Sequence, residues 1–194
     1  PHELVAQEPP ATRGTSRLMC LGRGSGAITH GVFPDLPSLL TAGDLLVLND
    51  TRVFPARLLG RRVPGGGAVE CLLASRIDDG RSDLARQTWV PLVNPGPRVN
   101  AGTRMVFEGA GGPLHGEVLE RGAQGRLVRL ATEDGTPVRD AVHRLGHIPL
   151  PPYIKRADVP ADRERYQTVY GQREGSIAAP TAGLHFTPEL LAAI

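Results

Sequence analysis

The chain has 194 residues, a formal net charge of +2, 40% hydrophobic and 22% charged side chains, which suits a folded protein of one or two domains with a real core. No apolar run approaches a membrane span, no charged–apolar–small leader opens the chain, and the near-neutral balance excludes a strongly basic nucleic-acid-binding tail, so a cytoplasmic protein without a membrane partner is expected. Lys155 is the one lysine among 22 basic side chains; the other 21 are arginines, whose planar fork suits phosphate and stacked bases, although codon bias produces the same count.

In chain order, "SRLMCLGRGSGAITHGVF" alternates strand-like segments around a glycine turn, and "FPDLPSLL" reads as a short helix with Asp35 as its cap. Leu45–Leu48 is a continuous apolar run of the kind that forms a strand buried on both faces. It ends in the polar cluster Asn49, Asp50, Thr51 and Arg52, where α/β sheets place ligands. From Ala56 to Thr132 six short β-like runs follow one another, separated by breaks such as "PGGG", "DDGRSD" and "EGAGG". Short strands at steady spacing predict a small antiparallel barrel inserted between two α/β-like pieces. The expected organisation is an α/β domain of two segments, residues 1–55 and 133–194, incomplete here, with a six-stranded antiparallel β-barrel over 56–132.

Further on, "TPVRDAVHRLGHI" has the spacing of an amphipathic helix. "PLPPYIKR" holds three prolines that fix an extended connector, ending in Tyr153, Lys155 and Arg156. "DRERYQTVY" predicts a helix that sets Tyr166 and Tyr170 one turn apart, with Gln167 between them. In "TPELLAAI", Thr187 is placed to cap a helix and Pro188 to occupy its first position. That helix is only about two turns long, so the chain is expected to be a fragment of a longer polypeptide. Cys20 and Cys71 fit neither a disulfide framework nor a metal motif and read as buried apolar residues. No dinucleotide or phosphate-loop glycine motif and no zinc-spaced cluster is present.

The stretch "SIAAPTAGLHF" concentrates small residues between aromatic flanks. Two readings stand side by side: a wall that lets backbone amides approach a flat or charged ligand, with Thr181 and His185 as polar contacts, or a tight packing corner. His185 is readable as a base, a ligand contact or a structural histidine, and a single histidine without a partner favours the structural role. Asp50 and Arg52 can form a site or a turn-stabilising ion pair. Tyr166 and Tyr170 suit core packing as well as base stacking.

Four stretches together, "PHELVAQEPPATRGTSRLMCL", "GDLLVLNDTRVFPARLLG", "PLPPYIKR" and "YQTVYGQREGSIAAPTAGLHFT", resemble the S-adenosylmethionine:tRNA ribosyltransferase-isomerase family of queuosine biosynthesis. The resemblance implies an enzyme that moves the ribosyl part of S-adenosylmethionine onto 7-aminomethyl-7-deazaguanine at the wobble position of tRNA. The product is epoxyqueuosine, and adenine and methionine are released. S-adenosylmethionine is then a consumed substrate, with no separate cofactor and no metal, and the partners are that sulfonium and a tRNA. A monomer is expected.

Carried onto this chain, the resemblance implies His185 and Asp50 as proton-handling groups. It implies a substrate site of Thr51, Arg52, Tyr166, Gln167, Tyr170, Ala178, Ala179, Pro180, Thr181, Ala182 and Gly183, and RNA contacts at Tyr153, Lys155 and Arg156. The family's chains are longer than this one, so the activity is assigned to the parent protein. The competing reading is a non-catalytic RNA-binding barrel; a purely structural interaction domain explains neither the arginines nor the small-residue stretch.

Overall fold

The computed structural model describes residues 1–78, 80, 83–122 and 125–194. The expected break at 78–83 falls partly outside the described residues, at 79, 81 and 82. The N-terminal segment carries β1 (Arg17–Leu21), β2 (Ile28–Val32) and β3 (Thr51–Val53). The middle carries β4 (Arg57–Val63), β5 (Ala68–Ile77), β6 (Arg86–Asn94), β7 (Arg104–Phe107), β8 (Leu114–Gly122), β9 (Gly125–Thr132) and helix α1 (Val138–Leu145). The C-terminal segment carries α2 (Asp162–Arg165), β10 (Arg173–Ser176) and α3 (Pro188–Ala193). Two compact units result: Pro1–Arg52 with Pro151–Ile194, and Val53–Leu150.

The central unit is built around a closed antiparallel barrel in the order β4-β5-β6-β9-β8-β7. Two three-stranded meanders join edge to edge: β4 pairs β7, with Arg61 opposite Val106, and β6 pairs β9, with Thr88 opposite Arg129. Closure leaves no free edge for another chain to extend. The period-two alternation drives this arrangement. Leu58, Val69, Cys71, Leu73, Met105, Phe107, Leu114, Val118, Val128 and Leu130 are buried; the alternate residues of β5 and β8 are more exposed, while in β7 Val106 is buried as well. Each fully buried Leu, Met or Phe contributes about 1.5–3 kcal/mol, so the filled interior is the main source of the barrel's stability. Gly60 makes room for that filling, since a Cβ there would stand 2.6 Å from the Phe107 ring.

Helix α1 packs on β8 and β9 through buried Val138, Ala141 and Val142. It thus belongs to the barrel unit and not to the flanking segments, and the unit runs to Leu150 where a boundary at 132 was expected. The reason is its apolar stripe, which is buried against the barrel at the end where β7 leads into β8 and where β4 and β6 begin.

The flanking unit departs further from expectation. Leu45–Leu48 is not a strand; no ladder partner exists for it among the described residues, and Leu45 and Val47 are 87% and 80% exposed. An apolar run becomes a buried strand only when neighbours satisfy its amides and cover both faces. The pairing begins instead in the polar cluster, where Thr51–Val53 forms β3 against β10. "FPDLPSL" is a 3₁₀ helix, and the Asp35 carboxylate reaches back to accept the Val32 amide at 2.9 Å from its third position. Thr187 caps α3 by accepting the Leu190 amide at 3.2 Å, with Pro188 at the first position, as the sequence predicts. Cys20 is half-buried where full burial was expected: it shares the covered face of β1 with Leu18, and that face of a two-stranded hairpin is only partly covered.

Candidate functional site

The helix predicted over "DRERYQTVY" stops after Arg165, and Tyr166 leaves it at φ −90° and ψ 41°. Tyr166 and Tyr170 therefore do not share a helix face. Gln167, Thr168 and Val169 follow in a non-helical path, the last two being β-branched and poor at continuing a helix. Asp162 at the start of α2, and Gln167 and Thr168 on this irregular path, are the buried polar residues of the chain's described part.

Asp162 is tied down by nearby chain, and the connector before it by chain distant in sequence. Asp162 takes a two-pronged contact from the Arg156 guanidinium at 2.7 and 2.9 Å and the Val159 amide at 2.8 Å. The Arg156 bond, then that amide, hold the carboxyl of Asp162 below the usual carboxylate range against the opposing effect of burial. Arg156 also meets Glu8 at 2.9 Å and donates to the Gln7 carbonyl, so its fork is committed inside the unit. The Gln7 side chain spans the proline connector, donating to the Tyr153 carbonyl at 3.1 Å and accepting the Lys155 amide at 2.6 Å. The Lys155 side chain and Tyr153 remain exposed.

The small-residue stretch is neither wholly wall nor wholly corner. Ala178, Thr181 and Ala182 are exposed, Pro180 is half-buried, and Ala179 and Gly183 are buried. A 3₁₀ turn over Thr181–His185 presses Gly183 onto the preceding segment: an added Cβ would collide with the Tyr170 hydroxyl and stand 2.8 Å from Cγ2 of Thr168. The Ala179 amide bonds the Tyr166 hydroxyl, opposing the upward push that burial gives that phenol. Burial likewise raises Tyr170. Arg13 holds the turn from the other side, donating to the Leu184 carbonyl at 2.8 Å and the Arg165 carbonyl at 3.2 Å. His185 is half-buried beside Phe33, ring centroids 5.2 Å apart; Phe33 meets Phe186 edge-on at 5.1 Å, and Tyr170 meets Phe186 at 6.2 Å.

The polar cluster joins the same scaffold. The Asp50 carbonyl accepts the amides of Gln172 at 2.7 Å and Arg173 at 3.1 Å, and its carboxylate lies 3.4 Å from the Arg173 guanidinium. Gly171 fits against the Thr51 carbonyl and the Thr168 hydroxyl. Residues 168–173 thus bridge "NDTR" on one side and "TAGLHF" on the other. Asp50 and His185 are not hydrogen-bonded to each other among the described residues, and the Arg52 side chain is exposed. No group of three or more His, Cys, Asp or Glu side chains gathers for a metal among the described residues. Gln7, Arg13 and Asp162 went unnoticed in the sequence because each acts through a partner that only folding supplies, and Thr168 because only folding buries it.

Fold and site define a two-unit protein: a filled barrel, and a second unit whose clamped N-terminal arm supports a small-residue turn beside a histidine. Over residues 1–194 the chain matches the family model described as queuosine biosynthesis protein, and it belongs to that family. It is 47% identical over 192 residues to the S-adenosylmethionine:tRNA ribosyltransferase-isomerase of Desulfitobacterium hafniense, covering 98% of this chain and 52% of that protein. The protein of that name from Symbiobacterium thermophilum is 49% identical over 192 residues, with the same coverage. A crystal structure of S-adenosylmethionine tRNA ribosyltransferase from Thermotoga maritima covers 99% of this chain and 50% of its own, at 33% identity and a TM-score of 0.35. The chain spans about half the length of the curated relatives it matches.

Proposed function

We propose that the full-length protein is a tRNA-modifying transferase-isomerase. It moves the ribosyl moiety of S-adenosylmethionine onto 7-aminomethyl-7-deazaguanine at the tRNA wobble position, forming epoxyqueuosine and releasing adenine and methionine. The observation that carries this reading is family membership over the whole of residues 1–194, with relatives near 47% identity bearing that enzyme's name. The flanking unit is read as part of an α/β domain, and S-adenosylmethionine as a consumed substrate with no resident cofactor.

The chemistry follows from the sulfonium. Its positive charge acidifies the adjacent 5′ carbon, so a base removes that proton, adenine departs, and the sugar rearranges. Such a reaction needs a positioned base, acid help for the leaving group and exclusion of water. His185 and Asp50 are proposed as the proton-handling groups, Asp50 also facing the sulfonium charge. The half-buried imidazole beside Phe33 and the exposed Ala178, Thr181 and Ala182 support a ligand approaching the turn at that place. Ala179, Pro180, Gly183, Thr51, Arg52, Tyr166, Gln167 and Tyr170 complete the proposed substrate site, and Tyr153, Lys155 and Arg156 the proposed RNA contacts. For Arg156, the commitment to Asp162 and Glu8 supports positioning of the connector more than direct phosphate contact.

Incubation of the full-length protein with S-adenosylmethionine and a tRNA bearing the deazaguanine precursor tests the reading by release of free adenine. RNA binding without adenine release overturns it in favour of a non-catalytic RNA-binding protein.

A further inference from the structure

The barrel interior is filled by side chains, so a ligand of this unit must bind outside it. On the outer face, strand register sets Arg104, Glu117 and Arg129 in one cross-strand row. Arg61 and His115 stand in the next, each beside Val106, and Arg86 ends that row opposite Ala131. With strands about 4.8 Å apart, the four steps from β4 to β6 span an arc of roughly 19 Å. The two rows line a groove of about 670 Å³, with Glu108 and Glu133 at its margin.

The charges are not scattered. Arg61 makes a two-pronged contact with Glu108 at 3.1 and 3.0 Å, Arg129 meets Glu117 at 3.5 Å, and His115 meets Glu133 at 3.1 Å. Arg86 and Arg104 are exposed and have no carboxylate partner among the described residues. Their backbones lie three strand steps apart, about 14 Å of arc across β8 and β9, and one row apart along the strands, with Glu117 between. A single phosphate satisfying both must be approached by two stretched side chains over a carboxylate. A chain of phosphates meets each arginine where it stands. The groove lining has no Phe, Tyr or Trp, and its one imidazole, His115, is engaged by Glu133, so the lining offers bases little platform and the backbone is the part that fits.

We propose that this outer-face groove docks the sugar–phosphate backbone of an RNA strand, with Arg86 and Arg104 as the free phosphate contacts and Arg61 and Arg129 held in place by their glutamates. The three glutamates repel phosphate at fixed points and so give the docked strand one position in place of a diffuse attraction. The inference rests on the reading that the substrate is a tRNA.

The test uses the full-length enzyme and an unmodified tRNA transcript, with binding followed by fluorescence anisotropy over a range of salt concentrations. The Arg86→Ala/Arg104→Ala double variant is expected to bind about 10-fold more weakly, with the salt slope of log Kd reduced by about 1–2. KM for tRNA rises in parallel, while kcat and KM for S-adenosylmethionine at saturating tRNA stay unchanged. Glu117→Gln is expected to tighten binding about 2- to 5-fold by freeing Arg129, a gain that misfolding does not produce. Arg76→Ala, on β5 outside the groove, leaves binding unchanged. Wild-type affinity and slope in the double variant, or no tightening in Glu117→Gln, overturns the groove while leaving the proposed activity standing. Failure of the wild-type enzyme to bind any tRNA overturns both.

Discussion

Gly183→Ala tests how the small-residue turn is seated. The new methyl would overlap the Tyr170 hydroxyl and stand 2.8 Å from Cγ2 of Thr168 and 3.2 Å from Cζ of Tyr170. Carbon atoms in contact prefer about 3.5–4.0 Å, so a neighbour must retreat by roughly 1 Å. Tyr170 has little room to do so, because its ring meets Phe186 edge-on at 6.2 Å. Overpacking of this kind costs about 1–3 kcal/mol. With a urea m-value of about 2 kcal/mol/M, a loss of about 2 kcal/mol lowers the unfolding midpoint by roughly 1 M. Circular dichroism of the full-length protein in urea measures it. Adding Tyr170→Phe removes the nearest atom and should restore about half of the loss, since the Thr168 contact persists. A Gly183→Ala midpoint within about 0.2 M of the wild type, or no recovery in the double variant, refutes the reasoning.

Three other outcomes follow from particular groups. Asp162→Asn breaks a buried pair with Arg156 and should destabilise by about 3 kcal/mol; because the folded carboxyl lies below its unfolded value near 3.9, the wild type keeps this stability above that pH and loses it as pH falls through the folded value, whereas the variant's acid-unfolding curve is flatter. Burial pushes the Cys71 thiol up to about 12, so about one in a thousand is ionised at pH 9, and in a Cys20→Ser background iodoacetamide should label it only in denaturant; rapid native labelling contradicts the barrel's closure. Thr168→Val removes a buried hydroxyl that has no hydrogen-bond partner among the described residues and should raise the thermal midpoint by the equivalent of about 1 kcal/mol, while a loss of stability shows that the hydroxyl is bonded.

The six barrel strands were legible because inward and outward residues alternate within a single short run, as Arg126–Leu130 does, and each run ends in a glycine or polar break. The caps at Thr187 and Pro188 were legible for the same reason, since their partners lie within three residues. "NDTR" and "TAGLHF" stood out by composition, but that residues 168–173 join them was not legible.

What sequence alone determined is therefore local: strand spacing, caps, connector stiffness and the family signature stretches. Tertiary structure decided the closing order β4-β5-β6-β9-β8-β7, the exposure of Leu45–Leu48 and the early end of α2. It also decided the clamps from Gln7 and Arg13, which reach partners 146 to 171 residues away. The physical reason is common to all of them. A backbone amide or an apolar side chain is stabilised by whatever the folded chain brings against it, and a partner that far along the chain leaves no periodic trace beside the residue it satisfies.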